Sequence, residues 1–291
     1  MDRIEIGKWL KLYMIKNYII NKDLSVDVKG DVILNDLTVR ILPIKFRNVS
    51  GNFYCNRCKF ISLEGFPIKI GKGFYCKENG LDSLLGCPLD IGGDFYCSYN
   101  KLTSLVGCPI KVSGSFDCHS NCLDSLLGSP KEVVGSFDCS DNKLTSLIGC
   151  PIKIGVNFSC GNNQLESLEY GPIIVGKRYL CNNNKLVTLV GSVKIVNNNF
   201  YCVGNKLTSL EGCPVEVFGN FNCGYNKLTN LDILPERVVG NFFCNNNDFV
   251  NKIYNSMDFE QIRFHIANKA LGDRILSEDF VDTKVIRGCK L

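Results

Sequence analysis

Hydrophobic and polar positions along most of this chain recur on a beat of 21 residues. The clearest marker is a cysteine, at Cys55, Cys76, Cys97, Cys118, Cys139, Cys160, Cys181, Cys202, Cys223 and Cys244. Positions are counted below from that cysteine. An aromatic stands at −2 in every unit, from Phe53 to Phe242, with Tyr179 once in place of Phe. One residue separates aromatic and cysteine, so in an extended chain both face the same side. Leucine recurs at +5 (Leu81 to Leu228, with Phe60 and Phe249 in the end units) and at +8 (Leu63 to Leu231). Ile or Val fills +15, from Ile70 to Val238. The polar marks are as regular. Asparagine holds +3 from Asn79 to Asn247, with Cys58 in the first unit, and proline holds +12 from Pro67 to Pro235, with Val193 the exception.

A fixed period of roughly 20–50 residues is the mark of a solenoid, in which each repeat is one coil and apolar columns stack into a continuous core. The pattern predicts a short strand over Phe-x-Cys and a bend at the asparagine, whose amide can bond the backbone groups that the curve leaves unpaired. Proline fixes φ and removes a donor, so the return stroke is extended rather than helical. Glycines such as Gly92, Gly114 and Gly219 turn the chain into the next strand. Ten coils at strand spacing predict a core about 48 Å long.

The ends break the beat and are predicted caps, which a solenoid needs to cover its terminal coils. Residues 1–29 form the N-terminal one: an amphipathic helix over 3–16 with Trp9, Leu10 and Tyr13 on one face, then a hairpin over Tyr18–Val28. The solenoid covers 30–250 and opens with a degenerate coil of irregular length around Val32 to Pro43. Residues 251–291 form a C-terminal helical cap. There Asp258 and Gln261 make a capping box, Phe259, Ile262, Ile266 and Ala270 share a face, and Gly272 stops the helix. The stretch 273–291 reads as a cap or a docking tail.

The coil resembles the leucine-rich repeat. Phe95-Tyr96-Cys97-Ser98-Tyr99-Asn100-Lys101-Leu102 supplies the second half of the pattern L-x-x-L-x-L-x-x-N/C-x-L, which also admits Cys58. Ile91 lies one residue further upstream than that pattern wants, which predicts a Gly-containing bulge before each strand. The proline-bearing return is similar to the short bacterial type of the family. The resemblance covers about residues 30–250 and implies a mainly β, right-handed superhelix of about ten 21-residue coils with one parallel strand ladder. A finer resemblance is to uncharacterised repeat proteins of large tailed bacteriophages. It rests on units such as Asn100-Lys101-Leu102-Thr103-Ser104-Leu105-Val106-Gly107-Cys108-Pro109. It rests also on the opening Trp9-Leu10-Lys11-Leu12-Tyr13 with Ser25-Val26-Asp27-Val28. It implies a viral protein, in the host cytoplasm or in the virion, and no settled activity.

Composition adds limits. A net charge of +4 is too mild for a dedicated nucleic-acid binder. Seventeen cysteines would suggest a disulfide framework in a short secreted chain. Met1-Asp2-Arg3-Ile4-Glu5-Ile6 is no secretory leader, however, and no apolar run approaches a membrane span. The expectation is a cytoplasmic protein with most thiols free and buried. Cys55-x-x-Cys58 and Cys118-His119-x-x-Cys122 have ligand-like spacing, but in register they point different ways, so no metal or other cofactor is expected. The two histidines, His119 and His265, lie far apart, and no nucleophile, base and orienter occur together, so the chain is not expected to be an enzyme.

The remaining candidates are surface columns. The residue before each cysteine points outward, giving Tyr54, Tyr75, Tyr96, Asp117, Asp138, Ser159, Leu180, Tyr201, Asn222 and Phe243, with Tyr99 and Tyr225 beside them. Tyrosine offers a rigid apolar surface with a polar tip and favours interfaces. A second column, at +4, is basic: Lys59, Lys101, Lys143, Lys185, Lys206 and Lys227. Acids such as Asp82, Asp124 and Glu166 dilute its field, so it reads first as a solvated edge. The function expected is a non-catalytic module that offers the tyrosine–acid column to a protein partner, with no small-molecule substrate and no membrane. The alternatives are a structural virion or assembly component and, more weakly, a nucleic-acid contact through the lysines.

Overall fold

The computed structural model describes residues 1–249, 254 and 257–269. The repeat folds as a parallel β-solenoid of about ten coils, in which partners such as Phe74 and Phe95 pair 21 residues apart. Each coil carries two strands of two residues rather than one. Lys69–Ile70 and Phe74–Tyr75 are one such pair. The strands build two ladders. The first, from positions +14 and +15, starts at the hairpin Tyr18–Ile20 and Val26–Val28 and runs to Ile174–Val175, and three further strands, Ile195–Val196 to Arg237–Val238, continue it after a break. The second, from positions −2 and −1, runs unbroken over eleven strands from Val32–Ile33 to Phe242–Phe243.

Two expectations are corrected. The extra residue upstream of Phe-x-Cys is not a bulge within one strand; it is a corner that divides two ladders. Glycine makes that corner possible, at +16 or +17. A Cβ on Gly92 would stand 2.2 Å from the Gly71 carbonyl oxygen, and one on Gly114 would stand 2.6 Å from the Asp94 nitrogen, because each corner lies against the one before. The coil with Asn197 and Asn198 at these positions also lacks the proline, and the first ladder breaks there. The degenerate first coil is not irregular in length either. Val32 pairs with Phe53 and Asn48 with Lys69, both 21 residues on. Its side chains depart from the pattern, and a register shift at its start pairs Val26 with Phe46, 20 residues on.

The other bend is set by asparagine. Asn100 Nδ2 donates to the carbonyls of Cys76 and Cys97, both at 3.0 Å, and Oδ1 accepts from the Asn79 and Leu81 amides at 3.1 and 3.2 Å. One buried amide thus satisfies backbone groups of two coils. The residue before it is left-handed in every coil, as at Tyr99 (φ 55°), Asp141 (φ 54°) and Asn183 (φ 53°). Asn, Asp and Gly tolerate this backbone best and are frequent there.

Between the walls runs one core. The Phe rings stack coil on coil, with centroids 5.4 Å apart for Phe74–Phe95 and 5.2 Å for Phe95–Phe116. Each fully buried ring contributes about 1.5–3 kcal/mol. The cysteine and both leucine columns are buried beside them.

Both ends are capped. At the first, the helix α1 (Arg3–Leu12) starts on a capping box between Asp2 and Glu5, buries Ile6 and Leu10, and sets Trp9 edge-on to Phe46 at 6.4 Å. It is shorter than expected because Met14 and Asn17 turn left-handed. At the second end, the helix α2 (residues 259–269) starts on the expected capping box: the Asp258 amide donates to Gln261 Oε1 at 3.0 Å and the Gln261 amide to Asp258 Oδ1 at 2.8 Å. Phe259 packs on Phe242 at 5.3 Å and Ile262 is fully buried. Ala270, Gly272 and the stretch 273–291 lie outside the described residues. Among the described residues no helix is long and apolar enough to cross a membrane.

Candidate functional site

The second ladder presents one face to the core through its aromatics and cysteines and the other outward through positions −1 and +1. At the N-terminal half this outer face holds a connected cluster. The rings of Tyr54 and Tyr75 stack at 4.7 Å with planes 10° apart, and Tyr75 meets Tyr96 edge-on at 5.2 Å. The Lys77 ammonium lies 4.5 Å from the centroid of the Tyr96 ring. The same Nζ is 3.1 Å from Asp117 Oδ2, which also accepts from Ser98 Oγ at 3.1 Å. His119 Nδ1 lies 2.5 Å from Asp117 Oδ1, and the His119 ring meets Tyr99 edge-on at 4.7 Å. On the next coil Asp138 accepts from the Ser140 amide at 2.9 Å and its hydroxyl at 2.6 Å.

The electrostatics follow from half-burial. Burial pushes Asp117 towards its neutral form, but the His119 hydrogen bond and charge, with Lys77 behind them, outweigh it and hold the carboxyl below its ordinary value. His119 moves the other way. Its bond to Asp117 raises its pKa, burial opposes, and the charges of Asp117 and Asp138 add to the rise. Burial, with the nearby Asp94 and Tyr54, pushes Tyr75 up to about 12, so it stays a neutral phenol.

Of the residues singled out from sequence, the structure therefore joins Tyr54, Tyr75, Tyr96, Tyr99 and Asp117, and places Asp138 one coil on. It does not join Tyr201, Tyr225 and Phe243 to them. Ser159 and Leu180 separate the two groups along the ladder, and Tyr201 is held instead by Asn199, whose amide donates to its hydroxyl at 2.9 Å. Tyr225 and Phe243 are exposed. Lys77, Ser98 and His119 were missed. For His119 a signal was present: in Asp117-Cys118-His119, acid and imidazole stand two apart across an inward cysteine, so they share a face.

The six lysines at +4 are all exposed. Among the described residues none of them forms an ion pair; Lys185 reaches the Gln164 side chain at 2.9 Å. Gly80, Cys122 and Gln164 interrupt the column. The described cysteines are free thiols, most of them buried. Burial raises the ladder thiols well above the ordinary value, and Cys58 to about 11, which removes the thiolate that reactivity requires. Among the described residues no three His, Cys, Asp or Glu side chains gather into a metal-binding group. Cys55 and Cys58 are both buried, whereas His119 faces outward from the buried Cys118 and bonds Asp117.

The fold and this face define a β-solenoid repeat protein with an ordered aromatic–polar outer surface. Compared with protein-family models and with curated proteins, the chain matches none.

Proposed function

We propose that the protein is a non-catalytic binding module that offers the outer face of its second ladder to a protein partner. The observation that carries this reading is the continuous chain of contacts from Tyr54 through Tyr75, Tyr96, Lys77 and Asp117 to His119 and Tyr99. Rings already held by their neighbours lose little rotamer freedom on docking, which is the main cost of using large side chains. The tyrosines supply apolar area with a polar rim, as interface anchors do. Asp94, Asp117, Asp138 and Asp141 stand on or beside the face, and Lys77 bridges a tyrosine ring and a carboxylate. The chemistry suits a partner segment that carries a basic side chain, which a ring and a carboxylate hold together.

Affinity purification from the native source tests this. Full-length wild type should retain a partner that Tyr75→Ala/Tyr96→Ala loses and Lys101→Ala/Lys143→Ala keeps. Equal recovery by all three proteins removes the face from the account.

A further inference from the structure

The outer face of the first ladder is of another kind. Its outward positions are +13, +14 and +16 in each coil. At +13, Ile68, Leu89, Ile110, Ile152 and Ile173 are 52–76% exposed, and exposed Lys131 interrupts the row between Ile110 and Ile152. Such a row is not explained by the fold, since the core is filled by the aromatic, cysteine and leucine columns. Monomers rarely expose a contiguous apolar strip beyond a few hundred Å². At +16, Gly71, Gly92, Ser113, Gly155 and Gly176 carry small side chains or none beyond the backbone, so another chain can approach closely, and exposed Val134 adds one apolar side chain between them. At +14 the charges alternate in sign: Lys69, Asp90, Lys111, Glu132, Lys153. The first pair meets within the chain, with Lys69 Nζ 2.6 Å from Asp90 Oδ2.

We propose that this face docks against the same face of a second copy, with the two solenoids antiparallel about a two-fold axis. Size and charge both favour that occupant. A standard interface takes about 20–30 residues and about 800 Å² from each partner; the seven parallel strands of the unbroken sheet from Phe46–Val49 to Ile174–Val175 carry three such positions each, 21 in all. A two-fold contact must be self-complementary, and an alternating column is. With the axis between two neighbouring coils, Asp90 of one copy faces Lys111 of the other, the next rung sets Lys69 against Glu132, and Leu89 and Ile110 flank the axis. A shift by one coil would oppose Lys69 with Lys111 and Asp90 with its own copy. The column thus selects register in steps of two coils, by repulsion as much as by attraction. This face is separate from the second-ladder cluster, so a dimer leaves both clusters open.

Sedimentation equilibrium of the full-length chain tests the proposal. Wild type should run as a dimer at micromolar concentration, and Leu89→Glu/Ile110→Glu as a monomer with the same circular dichroism spectrum. Two charge variants keep the test sound if the apolar one unfolds. An all-acidic column (Lys69→Glu/Lys111→Glu/Lys153→Glu) and an all-basic one (Asp90→Lys/Glu132→Lys) should each self-associate about a hundredfold or more weakly, since opposed like charges cost several kcal/mol. Mixed one to one, they should form a heterodimer. A monomeric wild type, or charge variants that self-associate as tightly as wild type, overturns the proposal.

Discussion

Removal of one asparagine from the middle of the ladder probes what holds coil to coil. Asn163 is 8% exposed. Its Nδ2 donates to the carbonyls of Cys139 at 3.1 Å, Cys160 at 3.2 Å and Gly161 at 3.1 Å, and its Oδ1 accepts from the Leu144 amide at 3.0 Å. Asn163→Leu keeps most of the volume and removes every one of these bonds. A buried backbone group left without a partner costs about 1–3 kcal/mol. With two to three groups effectively stranded, because the Nδ2 contacts share two hydrogens, the expected loss is about 3–5 kcal/mol. That is a large part of the roughly 5–15 kcal/mol that separates folded from unfolded states in most domains. Asn163→Ala should cost at least as much, since it adds a cavity. Asn247, half-buried in the last coil, should cost less because water can reach the groups it leaves. Urea titration followed by circular dichroism measures all three, with Lys143→Ala as an exposed control. A loss below about 1 kcal/mol for Asn163→Leu would refute the argument that the amide ladder, and not apolar stacking alone, joins the coils.

Other outcomes follow from single groups. Tyr179 is fully buried in the phenylalanine column and its hydroxyl has no partner among the described residues; Tyr179→Phe should therefore stabilise by about 1 kcal/mol, read as a rise in melting temperature. His119 should titrate by NMR above the ordinary histidine value, and Asp117→Asn should lower its midpoint. Because the folded pKa is raised, the stability this pair contributes is full below the unfolded value and declines as pH rises through the folded one; Asp117, held low, loses its share as pH falls through its own depressed value. Among the described cysteines, alkylation of the native protein, mapped by mass spectrometry, should begin at half-buried Cys122 and reach Cys97, Cys118 and Cys160 only on unfolding; labelling of all at one rate would contradict the buried ladder.

The repeat made most of the fold legible before any coordinates. Identical neighbours every 21 residues leave one way to stack, and the inward columns at −2, 0, +5, +8 and +15 are buried as expected. The second ladder of strands was harder to see. Ile91 and Phe95 are both inward and four apart, a spacing that one continuous strand would also give, so the period hid the corner that the close approach of successive glycines makes between them. The left-handed residue at +2 was equally hidden, since Arg57, Glu78, Tyr99 and Tyr225 occupy it without a glycine. On the candidate face, the tyrosine column was legible from alternation. Lys77 and Ser98 were not, because their partners Tyr96 and Asp117 lie 19 to 40 positions away, whereas His119 could be read from its place two after Asp117. The exposed apolar column at +13 was hidden by the same means: beside a proline it looks like part of the core.

The central claim is that the outer face of the second ladder is the surface a partner protein covers. Hydrogen–deuterium exchange on the co-purified complex, compared with the protein alone at the same concentration, tests it most directly. The account predicts new protection in the segments around Tyr75, Tyr96 and His119, with the lysine-bearing bends at Lys101, Lys143 and Lys185 unchanged. Protection confined to those bends, or to the first ladder, would contradict it.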